Sequence, residues 1–181
     1  GLNISEHWPI FETAGVIVPK EGDPSLLFGL EAEPFAVQRS KIIKIRKLLA
    51  YRESAEPDYP DIKVSNFKEI FDEISGGKGI KRLALGDYAI LPMPVYEGVR
   101  EALGAKGEII RAEWIISDLR AVKSENEIAM MKEAHRISEL ALEDLLKEMK
   151  VGMTEKEAMG ILYHAMYKHG AECEAFPNYI F

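Results

Sequence analysis

Two helix-start signatures, 30 residues apart, constrain this chain more than any other feature. Ser124-Glu125-Asn126-Glu127 and Thr154-Glu155-Lys156-Glu157 each place a hydroxyl at a helix N-cap and a glutamate three residues on. Each pair can satisfy two backbone N–H groups that a helix start leaves orphaned. After the first box, Ile128, Met131, His135, Ser138, Leu142, Leu145 and Met149 recur at 3–4 spacing. Met130, Ala134, Ile137 and Ala141 widen that stripe. Gly152 is the natural stop. After the second box come Ala158, Ile161, Leu162, Ala165 and Met166, with Gly170 as the stop. The spacing predicts two long helices joined by a tight turn, a helical hairpin. An apolar, strand-like segment, Phe176 to Phe181, follows it.

The earlier residues read differently. Thr13–Val18 and Ser25–Phe28 are short apolar runs around a Glu21-Gly22-Asp23-Pro24 turn, which predicts a β-hairpin. Residues 41–51 fit either a helix (Ile42, Ile45, Leu48, Leu49) or a strand (Ile43, Ile45). Residues 56–61 form a loop. A short amphipathic helix over Asn66–Ile74 ends at Gly76-Gly77, a strand covers Lys81–Gly86, a helix runs from Pro94 to Leu103, and a strand covers Gly107–Ala112. Alternation of helix and strand implies helices packed on a largely parallel sheet. The character changes near Ser117, so residues 1–117 read as one α/β domain and 118–181 as the start of a second.

Isolated residues do not name a reaction. Gly76-Gly77-Lys78-Gly79 lacks the Gly-Lys-Ser/Thr ending of a phosphate loop and follows a helix, so it reads as a plain loop. His164 and His169, five apart on a helix, face directions about 140° apart and cannot chelate one metal. His135 sits on an apolar stripe and reads as a core-edge histidine, with a general base as the alternative. Cys173 lies between Glu172 and Glu174, which favour its thiol form. The formal charge of −7, from 23 basic and 30 acidic side chains spread along the chain, points away from nucleic acid. One cysteine fits a reducing, cytoplasmic setting, and no apolar run is long enough to cross a bilayer. The opening heptad has no signal-peptide pattern.

A wider pattern is more specific. Leu119-Arg120-Ala121-Val122-Lys123-Ser124-Glu125-Asn126-Glu127-Ile128 resembles the entry to the catalytic domain of the creatinase and Xaa-Pro peptidase ("pita-bread") superfamily. Val151-Gly152-Met153-Thr154-Glu155 resembles that family's Pro-Gly-Met-Thr-Glu turn, with Val151 in place of proline. His169-Gly170-Ala171-Glu172 followed by Ala175-Phe176 is similar to its next landmark. Residues 1–117 resemble the creatinase-type N-terminal domain more loosely.

The resemblance implies an α/β fold: an N-terminal mixed sheet flanked by helices over 1–117, its start missing, then the first helical hairpin of an α+β pita-bread domain over 118–181. It implies a portion of a Xaa-Pro dipeptidase or aminopeptidase P-like metallopeptidase, a hydrolase that cleaves the bond before proline. Two Asp, one His and two Glu hold a pair of divalent ions (Mn, Co or Zn) in that family. All five fall past the family position matching Phe181, so no metal ligand or catalytic residue is carried over, none of these ions is expected on this chain, and the chain alone is expected to be inactive. Phe176 matches a residue bordering the substrate pocket, with ordinary core packing as the alternative. His7 and Trp8 lie in a loop that points to a partner subunit's active site in the family, with local packing as the alternative. A homo-oligomer, dimer or tetramer, and a peptide substrate are the partners implied, with neither nucleic acid nor membrane. A creatinase-like hydrolase without the metal pair, or a stand-alone oligomerisation or binding module, are the rival readings. Apolar residues such as Leu142, Leu145 and Ile161 are expected to lack cover.

Overall fold

The computed structural model describes residues 13–52 and 61–175. The chain divides into two compact units, Gly1–Leu119 and Arg120–Phe181.

In the first unit, β1 (Ala14–Ile17) and β2 (Ser25–Phe28) form the antiparallel hairpin that the Gly22-containing turn predicts, with Ile17 opposite Ser25. β2 is buried along its whole length. Its Leu26-Leu27-Phe28 run suits a central strand covered on both faces. On one face Leu27 joins Leu48, Tyr51, Phe67, Ile70, Phe71, Val95, Val99 and Leu103 in the main core. On the other, Leu26 and Phe28 pack with Ala32 and Ala36. Those alanines belong to α1 (Glu33–Arg39) or its cap, a helix that the sequence reading misses. Pro34 stands in its first turn, where proline costs a helix nothing but reads as a breaker.

The ambiguous segment resolves as strand β3 (Lys44–Lys47), followed by a 3₁₀ turn at Leu49–Tyr51. Parallel pairing with β2, from Ser25↔Lys44 to Phe28↔Lys47, satisfies its backbone, and α1 supplies the crossover that parallel strands need. Charged side chains then tie β3 down. Lys44 and Arg46 both meet Glu73, at 2.6 and 2.9 Å, and Lys47 meets Glu33 at 2.6 Å.

α2 (Phe67–Ser75) starts where Asn66 Oδ1 accepts the Glu69 N–H at 2.8 Å. It ends at Gly76, whose φ of 59° is left-handed backbone that glycine enters without a Cβ clash. Phe67, Ile70 and Phe71 face the core, and the Phe67 ring lies 6.3 Å from Tyr51 and 6.2 Å from Phe71, centroid to centroid. β4 (Arg82–Leu85), α3 (Met93–Leu103) and β5 (Glu108–Arg111) form a second crossover unit, with β4 and β5 parallel. Val95, Val99 and Leu103 repeat every four residues along the buried stripe of α3. The two sheets are separate: a mixed three-stranded one in the order β1-β2-β3 and a parallel pair β4-β5. A further helix absent from the sequence reading, α4 (Glu113–Ala121), contains Ser117.

The second unit holds α5 (Glu125–Glu148) and α6 (Glu155–Lys168). Both capping boxes form. Ser124 N donates to Glu127 Oε2 at 2.7 Å and Thr154 N to Glu157 Oε2 at 2.8 Å, with the hydroxyls accepting in return. Ala141 and Leu145 of α5 are buried, as are Ala158 and Ala165 of α6. Leu145 is therefore covered, against expectation, whereas Leu142 is 51% exposed as expected and Ile161 is half-buried. His135 is exposed rather than at the core edge, as are all of residues 125–136 of α5, which no described residue of this unit covers.

Candidate functional site

His7, Trp8 and Phe176, the residues singled out from the sequence, lie outside the described residues, as does the strand expected over 176–181. The chain nearest to Phe176 is described, and it holds a polar cluster that sequence reasoning missed.

The cluster depends on how α6 meets α5. In an antiparallel hairpin, the end of α6 would lie about 20 Å from the connecting turn, at 1.5 Å per residue, opposite the middle of α5. Instead, Lys168 and His169 both reach Asp144, near the C-terminal end of α5. Lys168 Nζ is 2.8 Å and His169 Nε2 2.9 Å from the same Oδ2. α6 therefore crosses α5 obliquely. Ala141 of α5 and Ala158 and Ala165 of α6 are buried, and side chains this small allow paired helices to approach closely. Lys147 Nζ stands 3.5 Å from Asp144 Oδ1. Lys168 first, then His169, holds the Asp144 carboxyl well below the usual carboxylate range. His169 is the C-cap of α6, not part of it, and His164 is exposed on the helix. The signal for this cluster was an acidic side chain beside the α6-facing Ala141 and Leu145, with two basic residues closing α6.

Beyond His169 the backbone closes a paired turn. Gly170 N donates to Tyr167 O at 3.1 Å and Ala171 N to Met166 O at 3.0 Å. Gly170 takes φ 103°, a left-handed conformation that ends the helix cleanly. Tyr167 Oη donates to Glu174 Oε2 at 3.2 Å. Loss of hydration first, then Glu174, pushes the Tyr167 hydroxyl pKa up.

This donor set does not fit a pair of divalent ions. Among the described residues no three His, Cys, Asp or Glu side chains converge. At Asp144 the ammonium of Lys168 already stands where a cation would bind. A cavity of about 380 Å³ lies in the first unit, lined by Tyr96, Glu97, Arg100, Glu101, Gly104 and Ala105. It shares no residue with the sequence-predicted site, and Arg100 there is committed to the carbonyl of Gly107 at 2.7 Å. The Gly76–Gly79 segment is a turn at the end of α2, with Gly79 N donating to Ser75 Oγ.

The helices carrying the two capping boxes match a known family. Residues 129–181 match Metallopeptidase family M24. The chain is 30% identical over 120 residues to a Xaa-Pro dipeptidase of Pyrococcus horikoshii, a match covering 66% of this chain and 33% of that protein. Its fold is similar to that of an X-Pro aminopeptidase from Thermotoga maritima, with TM-score 0.62, 27% identity, and 87% of this chain and 40% of that one covered. It is also similar in fold to the prolidase from Pyrococcus horikoshii, with TM-score 0.64, 22% identity, and 88% and 39% covered. The chain belongs to the creatinase and Xaa-Pro peptidase superfamily, the pita-bread metallopeptidases. The curated relatives that it matches are Xaa-Pro dipeptidases. The chain spans about a third of the length of these relatives, 33% and 34%. Among the described residues no helix is long and apolar enough to cross a membrane.

Proposed function

We propose that this chain is a portion of a metal-dependent hydrolase that cleaves the bond before proline in X-Pro peptides. In this reading residues 1–117 are a creatinase-type N-terminal domain and 118–181 open the pita-bread catalytic domain. The observation that carries the reading is the metallopeptidase match over 129–181, which falls on the helix pair α5–α6 and runs through Phe176. In the whole enzyme a pair of divalent ions, Mn, Co or Zn, supplies Lewis-acid activation of water. We assign no catalytic step to the described residues and expect this chain to be inactive alone. The N-terminal loop with His7 and Trp8 reaches a partner subunit's site, and Phe176 borders the substrate pocket. The single cysteine supports a reducing, cytoplasmic setting.

A second reading, an oligomerisation module, draws on one observation: the apolar stripe of α5, where Ile128, Met131, Leu142, Leu146 and Met149 are 42–63% exposed and Met130 beside them is 71% exposed. The test is hydrolysis of an X-Pro dipeptide by the protein translated from its complete reading frame, with and without Mn or Co, beside the purified 181-residue chain. Metal-dependent cleavage by the complete protein alone is expected. No cleavage by either removes the peptidase assignment, and cleavage by the 181-residue chain overturns its inactivity. Light scattering addresses the module reading, for which a monomer would be the contrary result.

A further inference from the structure

α5 has two apolar sides. On one, Ala141 and Leu145 are buried. The other is a line through Ile128, Met131, His135, Ser138, Leu142, Leu145 and Met149, in alternating steps of three and four. Leu145 lies where the two sides meet, and every other member of the line is exposed. Leu142 shows how sharp the division is: it follows buried Ala141 directly, yet one residue turns a helix by about 100° and carries its side chain out. A helix that packs on a sheet or a broad core carries a wider stripe. A line in steps of three and four is the seam by which one helix meets another.

Charge identifies the second helix. Lys132 and Glu139 flank the seam on the side away from Ala141, and both are exposed. Neither has an ion-pair partner among the described residues, whereas Glu133 and Glu143 are matched within α5 by Arg136 and Lys147. Two copies of α5 laid antiparallel, about a twofold axis midway between His135 and Ser138, bring Lys132 of each copy beside the partner's Glu139. The same register sets Met131 against the partner's Leu142, and His135 against the partner's Ser138. The Ser138 hydroxyl donates to Ala134 O at 3.0 Å, which leaves its oxygen to accept from an imidazole N–H. A parallel pair would instead set His135 against the partner's His135. It would also set Lys132 beside the partner's Glu127, whose carboxylate the capping box already holds at 2.7 Å.

We propose that this side of α5 is a docking surface for a second copy of the chain, paired antiparallel through Met131 and Leu142 and selected by Lys132–Glu139 ion pairs. The inference rests on the oligomerisation reading and adds to it the surface and the orientation. From Met131 to Leu142 the seam is about 17 Å long at 1.5 Å per residue, a short contact beside those of stable dimers. The dilute chain is therefore a monomer with this side uncovered, and dimers form as concentration rises.

Sedimentation equilibrium of the 181-residue chain, from about 10 μM to about 1 mM, tests this. The unaltered chain should pass from monomer towards dimer. Lys132→Glu and Glu139→Lys, each alone, turn two attractive pairs into two repulsive ones, and each should raise the dissociation constant about tenfold. Their equimolar mixture should form a heterodimer as strong as the unaltered dimer, because each variant supplies the charge that the other lacks. The double variant should regain self-association. Circular dichroism checks that helix content is unchanged. Weakening by the single variants without recovery in the mixture would overturn the antiparallel register. A dimer that neither variant weakens would leave the oligomerisation reading standing and overturn this surface. A monomer over the whole range would overturn both.

Discussion

The two units bury their apolar residues in different ways. In the first, β2 is sandwiched, with Leu27 in one cluster and Leu26 and Phe28 in another, and aromatic rings from the 3₁₀ turn and α2 interlock. In the second, two helices cross over a few alanines and Leu145, and the first twelve residues of α5 are exposed. A chain can thus carry its clearest family signature where its own packing is thinnest. Capping boxes and turn residues specify helices locally and need no core beneath them. A core needs partners that are distant in sequence.

Core truncation should separate the units most strongly. Phe71→Ala, at a side chain 2% exposed, should cost about 3–5 kcal/mol in denaturant unfolding. Leu142→Ala, on α5, should cost less than about 1 kcal/mol. Equal costs would mean that α5 is as well packed as α2.

One substitution should change sign between the units. A Cβ on Gly98 of α3 would sit 2.9 Å from Phe67 Cδ2, inside the packed core, whereas one on Gly160 of α6 meets nothing within 4 Å. Alanine is the better helix former by about 1 kcal/mol. Gly160→Ala should therefore stabilise by about that much. Gly98→Ala should lose about 1–3 kcal/mol, because overpacking outweighs propensity. Thermal melts of both variants test the contrast, and a stabilised Gly98→Ala would break it.

A smaller effect belongs to the second unit. Thr154→Ala removes the cap that holds Glu157 and should cost about 1 kcal/mol of α6 stability, read as helix content against temperature.

The smallest lies at Glu73. Hydrogen bonds from Lys44 and then Arg46 lower its pKa from 4.5 to about 2. A lowered carboxyl favours the folded state while ionised. Its contribution is therefore complete above pH 4.5 and is lost as pH falls towards 2. Glu73→Gln should flatten stability across that window only. The side chain is 48% exposed, so solvent screening keeps the effect small.

Much of this arrangement is legible in the sequence, and the exceptions share a cause. The helices α2, α3, α5 and α6 announce themselves through caps, period and glycine stops. β3 stays ambiguous because Lys44-Ile45-Arg46-Lys47 has one apolar residue, and only pairing with β2 decides its state. α1 is short and has a proline in its first turn. α4 presents Trp114, Ile115, Ile116 and Leu119 mostly to solvent, so no buried stripe marks it. The Asp144–His169 contact depends on an oblique crossing that no local pattern encodes. The family motifs lead to Phe176, while His7 and Trp8 were reached only by analogy with a domain that matches loosely.

The central claim, that the first unit is closed by its own packing and the second is not, is tested most directly by amide hydrogen exchange along the unaltered chain. The account predicts slow exchange in β2, α2 and α3 and fast exchange over residues 125–136 of α5. Uniformly slow exchange from 124 to 170 in a monodisperse monomer would contradict it.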